Sequence, residues 1–154
     1  GELALTLLRT PTYPHKGADI GKHVFTYSLY SHHGAVNGSK PIERAYDLNN
    51  PMIAVAVPKK STGELPETFS LINADKKNVV VESLKKAEDG NGYIVRLYES
   101  KNTQTKTKVS FGLPVKKVYL TNLMEEIMEE ISIQDNTITL SFRGFEIHTL
   151  RIIL

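Results

Sequence analysis

Short runs of alternating apolar and polar residues, separated by turn-forming residues, recur through the second half of the sequence. In residues 105–111, TKTKVSF, the threonines, the valine and the phenylalanine alternate with two lysines and a serine. The sequence EDGNG at residues 88–92 is a strong turn signal between two such runs. A repeat of two residues is typical of a β-strand with one buried face. The pattern therefore predicts an all-β fold, an antiparallel β-sandwich with one short helix.

The strands of this sandwich follow one another at short intervals. We predict strands at residues 69–72, 78–85, 93–99, 105–111, 115–120, 131–133, 137–142 and 145–154. Asp135 and Asn136 would form the turn of a hairpin between residues 131–133 and 137–142. Residues 122–130 are ambiguous, because their apolar and acidic residues also fit one or two helical turns.

A short helix is predicted at residues 41–48. Ser39 can accept hydrogen bonds at the helix amino terminus, and Pro41 suits the first turn. The residues expected to face inward at helical spacing are Ile42, Ala45 and Tyr46.

The amino-terminal part of the sequence has three further strand-like runs, at residues 3–9, 23–30 and 52–57. A polar segment between Pro58 and Pro66 follows them and predicts a domain boundary. The boundary separates residues 1–62 from a small carboxy-terminal sandwich at residues 68–154.

Composition argues against several classes of partner. The formal net charge of +2 is too small to indicate nucleic-acid binding, and no apolar run is long enough to span a bilayer. We therefore expect no nucleic-acid and no membrane partner. The lack of cysteine excludes disulfides and thiolate metal sites and suits a cytoplasmic protein. Because the sequence opens on Gly1 and enters a strand pattern at once, we expect it to be a fragment of a longer protein.

Three blocks of the sequence share a family resemblance. The first reads LTLLRTP at residues 5–11, YP at 13–14 and ADIG at 18–21, followed by His23, Phe25 and Tyr27. The second is VVESLKKAEDGNGYIVRLYE at residues 80–99, and the third is FEIHTLR at residues 145–151. In this order they resemble the C-terminal β domain of glycoside hydrolase family 38 α-mannosidases. The departures are small: Thr10 where Ser is commoner, His15-Lys16 at an often acidic position, and His148 where Lys is usual.

The resemblance implies a retaining α-mannosidase whose chemistry lies outside these residues. The family uses a carboxylate nucleophile, a carboxylic acid/base and a zinc ion, all in an amino-terminal domain. We therefore expect no catalytic residue and no cofactor in this chain, with zinc in that catalytic domain. The implied partners are the catalytic domain of the same enzyme and, through it, mannose-containing glycans. The family also implies that residues 1–62 are terminal strands of a larger, here incomplete, sandwich, so the fragment is expected to self-associate.

The acidic residues and histidines of the sequence agree with the expectation that this chain has no catalytic residue. Hydrolysis by a carboxylate pair needs two carboxyl groups at a defined separation across one pocket. Glu88-Asp89 lies in a predicted turn and Glu125-Glu126 on a predicted surface. His32-His33 are adjacent, which seldom lets both side chains bind one ion. For each of these groups we favour a structural role.

The long polar connection at residues 10–21 is the candidate site, since loops of this length in compact domains are usually either functional or disordered. Arg9 precedes it, and Tyr13 and Asp19 lie within it. One interpretation places Arg9, Tyr13 and Asp19 at the active-site rim of the whole enzyme, because Arg suits bidentate contacts. The other is that Arg9 pairs with Asp19 and ties the loop to the strand.

Other features have simpler interpretations. His23 alternates with Phe25 and Tyr27 and is predicted to be a core histidine. Asn37-Gly38-Ser39 fits the glycosylation pattern but is interpreted as a turn. A free-standing carbohydrate-binding or structural β-sandwich module is the alternative to a mannosidase domain. Sugar-binding platforms commonly expose aromatic side chains, and this sequence has no Trp.

Overall fold

A computed structural model of the chain describes residues 2–35, 40–57 and 63–154. The chain divides into two units, Gly1–Ile53 and Ala54–Leu154. The predicted extents, 1–62 and 68–154, stay a prediction, since part of the proposed boundary and the Asn37-Gly38-Ser39 turn lie outside the described residues. No helix in the described part of the chain has the length and apolar character that crossing a bilayer requires.

The second unit is built of antiparallel strands. They are β1 (Ile72–Ala74), β2 (Val79–Lys86), β3 (Tyr93–Glu99), β4 (Thr105–Phe111), β5 (Lys117–Thr121), β6 (Ile127–Ile131), β7 (Thr137–Phe142) and β8 (Ile147–Ile153). One sheet has the order β1-β4-β7 and the other the order β2-β3-β8-β5-β6. All pairings between these strands are antiparallel. The predicted all-β fold with one short helix is confirmed.

The core lies on the faces of the strands that the alternation predicted to be apolar. In β4 the side chains of Thr105, Thr107, Val109 and Phe111 are buried and those of Lys106 and Lys108 are exposed. In β3 and β8, which pair side by side, Val95 and Leu97 lie opposite Leu150 and His148. The largest fully buried apolar side chains are Phe142, Leu97, Ile138 and Leu150.

Residues 122–131 differ from the prediction. Residues 122–126 form a turn and not a helix, because the Asn122 side chain accepts hydrogen bonds from the backbone N–H groups of Met124 and Glu126. β6 then begins at Ile127 and pairs with β5. The hairpin predicted between residues 131–133 and 137–142 is wrong, since β6 and β7 belong to different sheets.

The turn at Asp135 and Asn136 does form, with both residues at positive φ. Beyond the single bridge between Gln134 and Thr137 it does not extend into a hairpin. The amide group of Asn136 donates to the carbonyl oxygens of Phe111 and Leu113 and accepts from the N–H of Val115. These bonds tie the turn to the β4–β5 connection.

The first unit contains the helix α1 (Pro41–Asn49), which confirms the predicted helix. Lys40 is its N-cap and makes no side-chain capping bond, while Ser39 lies outside the described residues. The predicted inward face is wrong: α1 has no buried residue, and its Ile42 and Tyr46 are half-buried while Ala45 is exposed.

Residues 3–9, 23–30 and 52–57 form no β-strand in the described structure. A strand needs a neighbour to complete its hydrogen-bond ladder, and these runs pair with no other described segment. Their apolar side chains are therefore exposed: Leu3 by 83%, Val24 by 82% and Ile53 by 89%.

Candidate functional site

A cluster of charged residues of the second unit lies around Arg151, on the outer face of the five-stranded sheet. β8 lies between β3 and β5, so Arg151 is flanked by Ile94 on one side and Tyr119 on the other. The Arg151 side chain is only 8% exposed. Its Nη1 lies 2.5 Å from Oδ2 of Asp89, and its Nη2 donates to the backbone oxygen of Glu125 at 3.0 Å. The β2–β3 turn and the 122–126 turn are thus both held to β8.

Glu125 is the second member of this ionic cluster. It sits in the 122–126 turn at positive φ, with a side chain only 8% exposed. One carboxylate oxygen lies 2.7 Å from the Lys85 ammonium, and the other accepts the backbone N–H of Glu88 at 2.9 Å. Lys85 also contacts the Glu88 carboxylate. The cluster therefore joins β2, the β2–β3 turn, the 122–126 turn and β8.

These contacts keep the carboxyl groups of the cluster ionised. The hydrogen bond from Arg151, followed by that from the backbone of Asn91, lowers the pKa of Asp89. The hydrogen bond from Lys85, followed by that from the Glu88 backbone, lowers the pKa of Glu125. A general acid at neutral pH needs the opposite, a raised pKa. A cleft of about 360 Å³ opens beside the cluster, lined by Glu88, Asp89, Met124, Glu125, Glu126, Ile127 and Arg151.

Glu99, the last residue of β3, is a fully buried carboxylate. It accepts hydrogen bonds from the Asn78 side chain and from the backbone N–H groups of Lys101, Thr103 and Phe145, at 2.8 to 3.1 Å. Burial acts to raise its pKa, but these four bonds together outweigh that effect and lower it. Glu99 therefore fixes three connections between strands and has no proton to donate at neutral pH.

The closing block, FEIHTLR, also has structural contacts. The Arg143 backbone N–H and then its side chain lower the pKa of Glu146 to about 2. His148 packs its ring against Phe142, with ring centroids 4.3 Å apart. Its Nε2 lies 3.5 Å from the Glu146 carboxylate. The Nδ1 atom of His148 is buried and has no hydrogen-bond partner among the residues that the structure describes.

The described residues do not fit a zinc ion. Over residues 2–35, 40–57 and 63–154, no three His, Asp or Glu side chains converge as ligands. His32 and His33 are exposed, and the only polar contact of the His32 ring in this part of the chain is with the His33 carbonyl oxygen at 3.4 Å.

The structure places Arg9, Tyr13 and Asp19 at exposed positions of the first unit. It brings none of the three side chains into contact with another, and no Arg9–Asp19 ion pair forms among the described residues. Instead, the His23 Nε2 atom lies 2.8 Å from the backbone oxygen of Asp19. His23 is exposed and stacks on Phe25 at 6.1 Å, so the prediction of a core histidine is wrong for this structure.

Comparison with known proteins agrees with the three sequence blocks. The family described as "Glycosyl hydrolases family 38 C-terminal beta sandwich domain" matches residues 78–150. Over 99% of its own length, the chain is 35% identical to "Alpha-mannosidase G" of Dictyostelium discoideum and 34% identical to "Alpha-mannosidase 2C1" of Mus musculus. It is 26% identical to "Alpha-mannosidase" of Saccharomyces cerevisiae over 97% of its length.

The chain spans only 14 to 16% of the length of these relatives. The family match covers β2 to β7 and the first part of β8, and thus both sheets of the sandwich. Residues 78–150 therefore belong to the C-terminal β-sandwich domain family of glycoside hydrolase family 38.

Proposed function

We propose that this chain is the non-catalytic C-terminal β region of a retaining α-mannosidase, which hydrolyses terminal α-mannose residues and whose catalytic domain this region supports. The observation that carries the proposal is the 35% identity to an α-mannosidase over 99% of the chain but only 14% of the relative. The zinc ion of the enzyme would then be bound by the catalytic domain. The cysteine-free composition supports a cytoplasmic enzyme.

The contacts of the carboxylates support a non-catalytic role. A retaining glycosidase needs one carboxylate as nucleophile and one carboxylic acid with a raised pKa. Asp89, Glu99, Glu125 and Glu146 are each held by hydrogen bonds that lower their pKa. Their hydrogen bonds join strands and turns, so these residues suit the cohesion of the sandwich.

Three unpaired runs near the amino terminus support a role in contact with a larger protein. Apolar side chains along residues 3–8, 24–29 and 52–57 are exposed. Burial of apolar surface stabilises by about 25 cal/mol per Å². These runs would complete their ladders and bury their side chains against strands of the rest of the enzyme.

An activity assay tests the proposal. The full-length protein that contains this chain is expected to hydrolyse an aryl α-mannoside and to lose that activity on removal of zinc. The isolated chain is expected to have no activity, with or without added zinc. Turnover by the purified chain that a single carboxylate substitution abolishes would contradict the proposal. Saturable binding of mannose or mannobiose by the chain alone would favour a carbohydrate-binding module instead.

The rim position of Arg9, Tyr13 and Asp19 is part of the same proposal. It is supported by the exposure of all three side chains, with Arg9 just before the loop and Tyr13 and Asp19 within it. In the full-length enzyme, Arg9→Ala is expected to raise KM about tenfold or more, because it would remove a charge-assisted contact to sugar. Lys16→Ala, in the same loop, is the matched control. Equal kinetics for the two variants would exclude Arg9 from the rim.

A further inference from the structure

The strand β6 carries an exposed apolar surface at the edge of a sheet. β6 pairs with β5 alone and therefore ends the five-stranded sheet. Four large side chains in β6 and the turn before it are exposed: Leu123 by 66%, Met124 by 80%, Ile127 by 54% and Met128 by 65%. We refer to these four residues as the β6 patch.

The other long edge strands of the sandwich do not share this property. β2, at the opposite edge of the same sheet, exposes the charged residues Glu82, Lys85 and Lys86 beside a single leucine. β7, at an edge of the three-stranded sheet, exposes only Thr139 and Ser141. Polar and charged residues at an edge discourage contact with other proteins. β6 also exposes two glutamates, but beside them it exposes Ile127 and Met128, and exposed apolar side chains that cluster mark interaction sites.

The β6 patch is held in a fixed conformation. Asn122 accepts the N–H groups of Met124 and Glu126, and Lys85 and Arg151 hold Glu125 from the side of the sheet. The exposure of Met124 and Ile127 therefore does not come from a frayed strand end. A surface that is already ordered loses less conformational freedom when it binds.

The charges around the patch indicate what it binds. Glu126, Glu129 and Glu130 are exposed beside it. Among the described residues, Lys117 is the one basic side chain paired with any of these three, at 3.7 Å from Glu130. An apolar surface with an acidic rim is complementary to an apolar surface with a basic rim.

A second copy of the sandwich does not offer such a surface on its lysine-rich face. Lys106 and Lys108 project from β4 beside Ser141 and Thr139 of β7, so this basic face is polar throughout. In the relatives, by contrast, about 85% of the polypeptide lies outside the matched region. We propose that the β6 patch docks on an apolar, basic-rimmed surface in the remainder of the mannosidase polypeptide. This inference rests on the proposed function.

Methionine oxidation measures the covering of the patch directly, because exposed methionines are converted to sulfoxides. The chain has three methionines, and two of them, Met124 and Met128, lie in the patch. In dilute hydrogen peroxide, followed by peptide mass spectrometry, both are expected to oxidise at least about tenfold more slowly in the full-length enzyme than in the isolated chain. Equal rates in the two proteins would overturn the inference.

Met52 is fully exposed in this structure and lies in residues 52–57, which the proposed function expects to be buried in the full-length enzyme. Its oxidation rate therefore distinguishes the two proposals. Protection of Met52 without protection of Met124 and Met128 would leave the proposed function standing and overturn the docking of the patch. If none of the three is protected, the docking of the patch and the burial of residues 52–57 are both contradicted. If Met124 and Met128 oxidise more slowly as the concentration of the isolated chain rises, the patch binds a second copy of the chain, which also overturns the inference.

The acidic rim is tested by charge reversal in the full-length enzyme. The double variant Glu126→Lys, Glu129→Lys is expected to raise the oxidation rates of Met124 and Met128 toward those of the isolated chain. The matched control is Lys108→Glu, an exposed charge reversal on the other sheet, which should leave both rates unchanged. Faster oxidation in the control, or no change in the double variant, would contradict the electrostatic part of the inference.

Discussion

Two arginine–carboxylate pairs of the sandwich differ in burial and are expected to differ in energetic importance. Arg151 is 8% exposed and contacts Asp89, whereas Arg143 is 84% exposed and contacts Glu146. Loss of the Arg151 guanidinium leaves the Glu125 carbonyl oxygen without a buried donor, although Asp89, which is 55% exposed, can be hydrated. The exposed Arg143 pair exchanges its partner for water.

We expect Arg151→Met to lower the free energy of unfolding of the chain by about 2 kcal/mol, since the buried carbonyl oxygen of Glu125 loses its donor. Arg143→Met, the same substitution at the exposed pair, should lower it by less than about 1 kcal/mol. Urea unfolding followed by circular dichroism measures both values. Equal losses would show that the contacts of Arg151 with the two turns contribute no more than a surface pair.

The pKa of Glu146 makes the stability of the sandwich depend on pH. Hydrogen bonds from the backbone and side chain of Arg143 lower this pKa from 4.5 to about 2. The folded state thus binds the proton more weakly than the unfolded state, so the stabilisation is present above about pH 4.5 and is lost as the pH falls through the folded pKa. In urea unfolding between these pH values, Glu146→Gln should show a shallower loss of stability than the unsubstituted chain. Parallel curves would contradict this assignment.

At the scale of single elements, the β2–β3 turn contains two glycines at positive φ that differ in their surroundings. A Cβ atom on Gly90 would meet nothing within 4 Å, whereas one on Gly92 would lie 2.4 Å from the backbone oxygen of Ile152 in β8. Gly90→Ala should therefore cost only the backbone term of about 1–2 kcal/mol.

Gly92→Ala is expected to cost about 3 kcal/mol or more, since it adds a clash with the neighbouring strand to the same backbone term. Urea unfolding of the two variants compares the costs directly. A Gly92→Ala variant as stable as Gly90→Ala would mean that β8 moves away from the turn without loss of packing.

The sequence predicted elements well where local pattern and tertiary pairing agree. β3 and β4 were predicted with their observed bounds, because the EDGNG turn at residues 88–92 precedes β3 and because β4 alternates between apolar and polar residues. β6 was missed, because IMEEI places apolar and acidic residues at spacings that also fit a helix. Only its pairing with β5 and the side-chain bonds of Asn122 decide its conformation.

The same reasoning explains which functional residues the sequence could reveal. The family blocks contain Asp89, Glu99 and Arg151, but nothing local indicates that an acidic turn residue and an arginine 62 positions later form a pair. Glu125 lies outside all three blocks and gave no signal of burial. Arg9, Tyr13 and Asp19 were chosen from the character of their loop, and their proposed role concerns contacts beyond these residues.

At the scale of the whole molecule, the two units differ in how completely they bury their apolar residues. Val95, Leu97 and Leu150 of the sandwich are fully buried, whereas Leu3 and Ile53 of the first unit are more than 80% exposed. Exposed apolar surface of this extent favours association. We therefore propose that the isolated chain self-associates through residues 1–60 and that a fragment of residues 68–154 stays monomeric.

Sedimentation velocity at several concentrations tests this proposal. The whole chain should show a sedimentation coefficient that rises with concentration, and the shorter fragment should not. A strictly monomeric chain, or a fragment of residues 68–154 that associates as strongly as the whole chain, would contradict the assignment of the association to residues 1–60.

The position of β8 in the sheet has a consequence for biosynthesis. β8 is central in the order β2-β3-β8-β5-β6, yet it follows all the other strands in the sequence. Until the ribosome has released it, β2-β3 and β5-β6 are two separate hairpins, and an isolated hairpin is at best marginally stable. Glu99 also lacks one of its hydrogen-bond donors, the backbone N–H of Phe145, until the residues just before β8 have been synthesised. The growing chain therefore exposes unpaired strands until β8 emerges, and this interval is when chaperones are most needed.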